Sequence, residues 1–234
     1  MEHLAIVGAG PAAGTLVRTL RQQGYDGHIA LVGEEPCPPY ERPPLSKAVL
    51  RGEAEPAEAR LLEIEGNGVD WHLATRVAAI DPVGQRLRLR LDDGCELAWD
   101  QSVLATGAHP NRLPVPGEHL AGVCYLRTAA DAERIRALLR PGASVAVVGA
   151  GFIGLEVASS ARTVGCEVTV LEADDAILSR VLPRELGEDI AAAHRERTSG
   201  TMFGEETFDR GPIRSSYPGI EAPQLGRLRS KWRL

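Results

Sequence analysis

The chain has 234 residues, of which 44% are hydrophobic, 25% charged and only 4% aromatic, with a net charge of -6. It is long enough for one large domain or two small ones with aliphatic cores, and too evenly composed to be disordered throughout. The acidic balance argues against a nucleic-acid partner. The scattered Cys37, Cys95, Cys124 and Cys166 form no metal-binding or disulfide pattern and fit a reducing, cytoplasmic setting. No apolar run reaches the roughly 18 residues that a membrane span needs.

Met1–Val7 is too short for a signal peptide and leads straight into a glycine motif, so Leu4–Val7 is expected as a first strand covered on both faces. A glycine turn, a helix over about Pro11–Gln23 and a strand His28–Val32 complete a βαβ unit. A proline-rich loop, Pro36–Pro44, precedes a short helix near Leu45–Leu50. Arg86–Leu91 alternates strictly, which predicts a strand with one wet face; Asp93-Gly94 then turns the chain into Glu96–Trp99. Ser102–Ala105 reads as another strand, and Asn111–Gly117 as a linker.

Thr128 is placed to cap a helix with Asp131 in its first turn, and Pro141-Gly142 to stop it. Ser144–Val148, a second glycine turn, a helix to about Val164 and a strand Glu167–Leu171 repeat the first plan. The expected fold is therefore α/β: two Rossmann-like, doubly wound parallel-sheet dinucleotide-binding units, incomplete at the C-terminus. The expected divisions are residues 1–113, 114–196 and an atypical tail, 197–234. That tail contains no valine and a single alanine, and its charge turns basic; it is expected to be disordered or out of frame, with little packed structure.

The first motif comprises Gly8, Gly10 and, at the third small position, Ala13. Gly8 permits the turn, Gly10 lets a diphosphate approach the backbone, and Ala13 lets helix and strand pack closely. The helix N-terminus offers N–H groups and partial positive charge to phosphates. Glu34, after the second strand, is the candidate ribose ligand. The second motif, Gly149, Gly151 and Gly154, has Glu172 in that role. Ala173, Asp174 and Asp175 follow with no cation for a 2′-phosphate, which favours NAD(H) over NADP(H). In the rigid loop, Arg42 and Lys47 are cations near the first turn. No metal-ligating set is expected.

The strings Ile6–Gly10, Leu31–Glu35, Pro39–Lys47 (PYERPPLSK), Leu104–Gly107, Tyr125–Thr128 and Val147–Glu156 give the chain its family resemblance. It resembles the FAD-dependent ferredoxin reductases of oxygenase systems, the putidaredoxin and rhodocoxin reductase type within the pyridine nucleotide-disulfide oxidoreductases. The resemblance runs from Leu4 to about Arg195. It implies that the first motif binds FAD and the second NADH. The implied FAD contacts are Ala12, Glu34, Lys47, Val77 and Arg127, with Arg42 and the turn Ala105, Thr106, Gly107 close by. It also implies that Lys47 and Glu156 face each other beside the flavin ring, as the residues closest to the chemistry.

The implied reaction passes electrons from NADH through FAD to a ferredoxin-type [2Fe–2S] protein. Segments that complete the flavin site and the docking surface in that family are not visible in the tail, so the expectation for this chain is a fragment without turnover. The alternatives are a nucleotide-binding module, or an NADH-dependent disulfide or peroxide reductase. The last would need Cys37, which lies among prolines and away from a helix N-terminus that would lower its pKa.

Overall fold

The computed structural model describes residues 3–62, 68–84, 86–174, 176–195 and 200–203. By packing, the chain divides into two units. The first is Met1–Pro44 with Ala54–His109; the second is Leu45–Glu53 with the chain from Pro110 onward. The stretch that carries Lys47 thus packs with the second motif's unit.

In the first unit, β1 (His3–Val7), β2 (His28–Val32), β3 (Val69–His72) and β7 (Gln101–Leu104) form a parallel sheet in the order β3-β2-β1-β7. Residues 4–7 and 29–32 are buried without alternation because both sheet faces are covered. On one face Ile6, Ile29 and Leu31 pack against Ala13 and Val17 of α1 (Pro11–Gln22). On the other, Ala5, Val7 and Ala30 meet Leu89 and Trp99. These two come from an antiparallel sheet of β4 (Val77–Val83), β5 (Arg86–Leu91) and β6 (Glu96–Trp99), in that order.

The alternation in β5 sorts as expected. Leu89 and Leu91 are buried, while Arg86, Arg88 and Arg90 pair with Asp100, Glu96 and Asp81. Strands β3 and β4 lay beyond the sequence reading. Both are edge strands, β3 mixes Val, Asp, Trp and His, and β4 contains Pro82, which a sheet tolerates at its edge.

In the second unit, β8 (Ser144–Val148), β9 (Glu167–Glu172) and β10 (Gly200–Phe203) form a parallel sheet in the order β10-β9-β8. Its core joins Val147, Val168 and Val170 to Leu155, Ala158 and Ala161 of α4 (Phe152–Val164) and to Ile177, Leu178 and Ala191. Ala191 belongs to α5 (Arg184–Arg195), a helix the sequence reading did not anticipate. The short α2 (Ala48–Arg51), entered through a 3₁₀ turn over Pro43–Ser46, packs against α3 (Ala129–Leu138) and α4.

β10 departs from the expected structureless tail. Backbone pairing with β9 gives this short run ladder hydrogen bonds, which the polar residues around it obscure in sequence. The rest of the tail, residues 197–199 and 204–234, lies outside the described residues.

The Thr128 cap forms as read. Asp131 N–H donates to Thr128 Oγ1 (3.2 Å), and Asp131 Oδ2 accepts from the N–H groups of Thr128 (2.8 Å) and Arg127 (3.0 Å). Arg127 is thereby fixed at the backbone before α3. Replacing Thr128 by Ala should cost about 1 kcal/mol of unfolding free energy, measurable by urea denaturation.

Candidate functional site

Each glycine turn is shaped by contacts that leave no room for a side chain. Gly8 has φ +111°, and a Cβ there would lie 2.1 Å from the Ala105 carbonyl oxygen. The Gly8 N–H donates to Val32 O (2.8 Å) and Ala105 N–H to Val7 O (2.7 Å), so the turn is locked between β2 and the end of β7. In the second unit, a Cβ on Gly154 would lie 2.0 Å from the Gly149 carbonyl oxygen. Ala13, at the corresponding place in the first motif, is fully buried and carries its Cβ without conflict.

The middle glycines face the opposite condition. A Cβ on Gly10 or Gly151 would meet nothing within 4 Å. Both residues are the N-caps of their helices, and neither helix has a side-chain capping bond. Open space beside uncapped N–H groups at the positive end of a helix suits a diphosphate. The residues therefore fit a dinucleotide at each turn. Ala12 lies in the first turn of α1, and Val77 opens β4. Ala105, Thr106 and Gly107 follow β7.

The two acidic candidates are held differently. Glu172 closes its own turn: Oε2 accepts from Ala150 N–H (2.6 Å) and Oε1 from Asp174 N–H (3.0 Å). Asp174 in turn accepts from the Ser179 hydroxyl. Asp175 lies outside the described residues. Glu34 is exposed and lies 3.4 Å from Arg76, which precedes β4.

Arg42 is an anchor of its loop. Its Nη2 pairs with Glu35 Oε1 (2.7 Å), Nη1 donates to the Tyr40 hydroxyl (3.1 Å), and its guanidinium lies over the Tyr40 ring. Tyr40, which is buried, donates to the other Glu35 oxygen. Neither Glu35 nor Tyr40 was singled out from sequence. Cys37, the candidate redox thiol, is a half-buried cysteine of this loop that forms no disulfide.

The second unit joins Lys47 to Glu156, Nζ to Oε1 at 2.7 Å, within the approach expected of this pair. Glu156 Oε2 accepts from the Ser46 hydroxyl (2.5 Å), and the Ser46 carbonyl accepts from the Ser160 hydroxyl (2.7 Å). Ser46 and Ser160 are both buried and were missed in sequence. The available signal was spacing: Ser160 lies one helical turn beyond Glu156 on the inward face of α4. Burial pushes the Glu156 carboxyl up, but the Lys47 ammonium and the Ser46 hydroxyl outweigh it and hold the group below its ordinary range.

Two outcomes follow. Gly154→Ala should destabilise the chain by about 2 kcal/mol or more, through backbone overlap, whereas Ala13→Gly should cost about 1 kcal/mol; chemical denaturation of the two variants checks the contrast. Because the folded Glu156 pKa is lowered, its contribution to stability is present above the unfolded carboxyl range. It is lost as pH falls through the folded value. The pair is partly exposed, so removing it should cost about 0.2–1 kcal/mol at neutral pH. Glu156→Gln should flatten the acid limb of a stability–pH curve, and an unchanged limb would refute this reading.

Residues 2–206 match the family described as pyridine nucleotide-disulphide oxidoreductase, so the match extends past Arg195. Over 224 residues the chain is 41% identical to the ferredoxin–NAD(+) reductase component of the p-cumate 2,3-dioxygenase system of Pseudomonas putida. That alignment covers 94% of this chain and 55% of the relative. It is 42% identical over 198 residues to rhodocoxin reductase of Rhodococcus erythropolis, covering 82% of this chain and 45% of that protein. The fold is similar to that in the covalent putidaredoxin reductase–putidaredoxin complex (TM-score 0.78, 36% identity, 87% of this chain and 50% of that one). The chain thus spans about half the length of the curated relatives it matches. With two glycine turns of this geometry and a family match over most of its length, it belongs to the pyridine nucleotide-disulphide oxidoreductase family.

Proposed function

We propose that this chain binds FAD at the first glycine turn and NAD(H) at the second, and serves an NADH-dependent reductase that delivers electrons to a ferredoxin-type [2Fe–2S] protein of an oxygenase system. The observation that carries the reading is the duplicated turn, with open space at Gly10 and Gly151 above uncapped helix N-termini. The names of the relatives support the acceptor and the donor: a ferredoxin–NAD(+) reductase component in one case, and a reductase joined to its putidaredoxin in another. Four cysteines that form no disulfide, and no helix among the described residues long and apolar enough to cross a membrane, are compatible with a cytoplasmic setting.

When bound, FAD accepts a hydride from NADH and releases single electrons, so the protein needs to supply orientation and electrostatics rather than acid–base groups. Gly8, Gly10, Ala12 and Ala13 present the backbone to one diphosphate; Gly149, Gly151 and Gly154 present it to the other. We assign Glu34 and Glu172 to the ribose hydroxyls, and Arg42, Val77, Arg127 and the turn Ala105, Thr106, Gly107 to the flavin side. Lys47 would supply a positive charge on the flavin side, where the incoming hydride brings negative charge. Glu156, ionised at neutral pH, keeps that ammonium in place.

Glu172 also sets the choice of nicotinamide. Its two oxygens are already oriented by the N–H groups of Ala150 and Asp174, so a 2′-phosphate would meet a fixed carboxylate. NADPH should bind at least about tenfold more weakly than NADH, a difference of about 1.4 kcal/mol or more. Titration of the purified chain with FAD, followed by flavin absorbance, and then with NADH and NADPH tests both assignments. No FAD binding removes the first, and equal affinity for the two nicotinamides removes the second.

A further inference from the structure

Resting on the reading just given, we propose that Ser160 is a positioning residue: by holding the Ser46 carbonyl, it keeps the Ser46 hydroxyl on Glu156 and so sets the place and charge of the Lys47–Glu156 pair.

The chain reaches Lys47 through the 3₁₀ turn Pro43–Ser46, and α2 then runs only from Ala48 to Arg51. A single-turn helix has little stability of its own, so its position must come from packing. The surface it packs on includes α4. Two residues of that helix, Glu156 and Ser160, are four apart and therefore lie on one face.

Between them they grip Ser46 at both of its polar ends. Ser160 Oγ donates to its carbonyl (2.7 Å), and its own hydroxyl donates to Glu156 Oε2 (2.5 Å). Ser46 is 4% exposed and Ser160 1%, so water does not compete freely for either bond. Lys47, the next residue, completes the arrangement by pairing with the other Glu156 oxygen. Among the described residues, the groups that face the carboxylate are one ammonium and one hydroxyl, and both come from adjacent residues of the stretch that Ser160 holds.

The consequence is directional. Without the Ser160 hydroxyl, the Ser46 carbonyl loses a buried donor and the local backbone moves to find another. The Ser46 hydroxyl then leaves Glu156, and one of the two groups that lower its pKa weakens. A merely structural serine would change stability and leave that carboxyl's titration alone.

The test uses the ligand-free 234-residue chain, so its outcome does not depend on whether FAD or NADH binds. The Glu156 carboxyl is followed by carbon NMR against pH and assigned with Glu156→Gln. Ser160→Ala and Ser46→Ala should both move its titration upward, while Ser160→Thr, which keeps the hydroxyl, should leave it near that of the parent chain. The Arg51 amide, which bonds the Lys47 carbonyl (3.1 Å), should exchange with solvent about two- to tenfold faster in Ser160→Ala, the size of one lost hydrogen bond. An unmoved Glu156 titration in folded Ser160→Ala overturns the proposal. If that variant does not fold, an unmoved titration in Ser46→Ala overturns it instead. Failure of FAD or NADH to bind the parent chain counts against the functional reading alone.

Discussion

At two places the backbone after a strand runs so close to another carbonyl that one methyl group is too many. At Gly8 the neighbour is Ala105 of the next strand's turn; at Gly154 it is Gly149, at the start of the same motif. At Gly8 this close approach sets the turn against the end of β7, and at Gly154 it sets the first turn of α4 against its own glycine turn. The open space at Gly10 and Gly151 lies within two residues of one crowded glycine and within three of the other, between apolar strands and the helices that cover them. A dinucleotide site of this kind is a property of backbone placement, and side chains adjust it.

The features most legible in sequence were those dictated by local covalent geometry and burial. Glycine spacing located both turns, and the unbroken apolar runs of β1, β2 and β8 located strands of the two sheets. The Thr128 and Asp131 pair located a helix start that the structure reproduces to the residue. What escaped was set by tertiary context. Strands β3 and β4 sit at sheet edges, where half-polar sequence suffices, and β10 is held by its neighbour more than by its own composition. The cation Arg42 was visible, but its commitment to Glu35 and Tyr40 was not, because a loop's internal ion pairs leave no periodic trace.

The serines around Glu156 show the same limit more sharply. A serine within a helix is unremarkable in sequence and mildly unfavourable for helicity. Its value here comes from what it touches at a separation of more than one hundred residues. Burial of the carboxylate opposes its charge, and the Lys47 ammonium offsets that both as a hydrogen-bond donor and as a charge. The Ser46 hydroxyl adds a neutral donor on the other oxygen, and together the two groups outweigh burial without a second charge that would compete with Lys47.

The two turns also differ in ways that match the separate tasks proposed for them. The first tolerates a Cβ at Ala13 and leaves Glu34 exposed beside Arg76; the second excludes a Cβ at Gly154 and ties Glu172 back onto its own turn. A carboxylate already oriented by two backbone N–H groups would lose little freedom to a ribose, in keeping with the exchangeable cosubstrate proposed for the second turn. Under the same proposal, the exposed Glu34, paired only with Arg76 at 3.4 Å among the described residues, would incur its ordering cost once if the flavin stays bound. On the reading proposed above, one strand–turn–helix unit would serve two ligands, with an exposed acidic side chain at the first turn and one tied to its own backbone at the second.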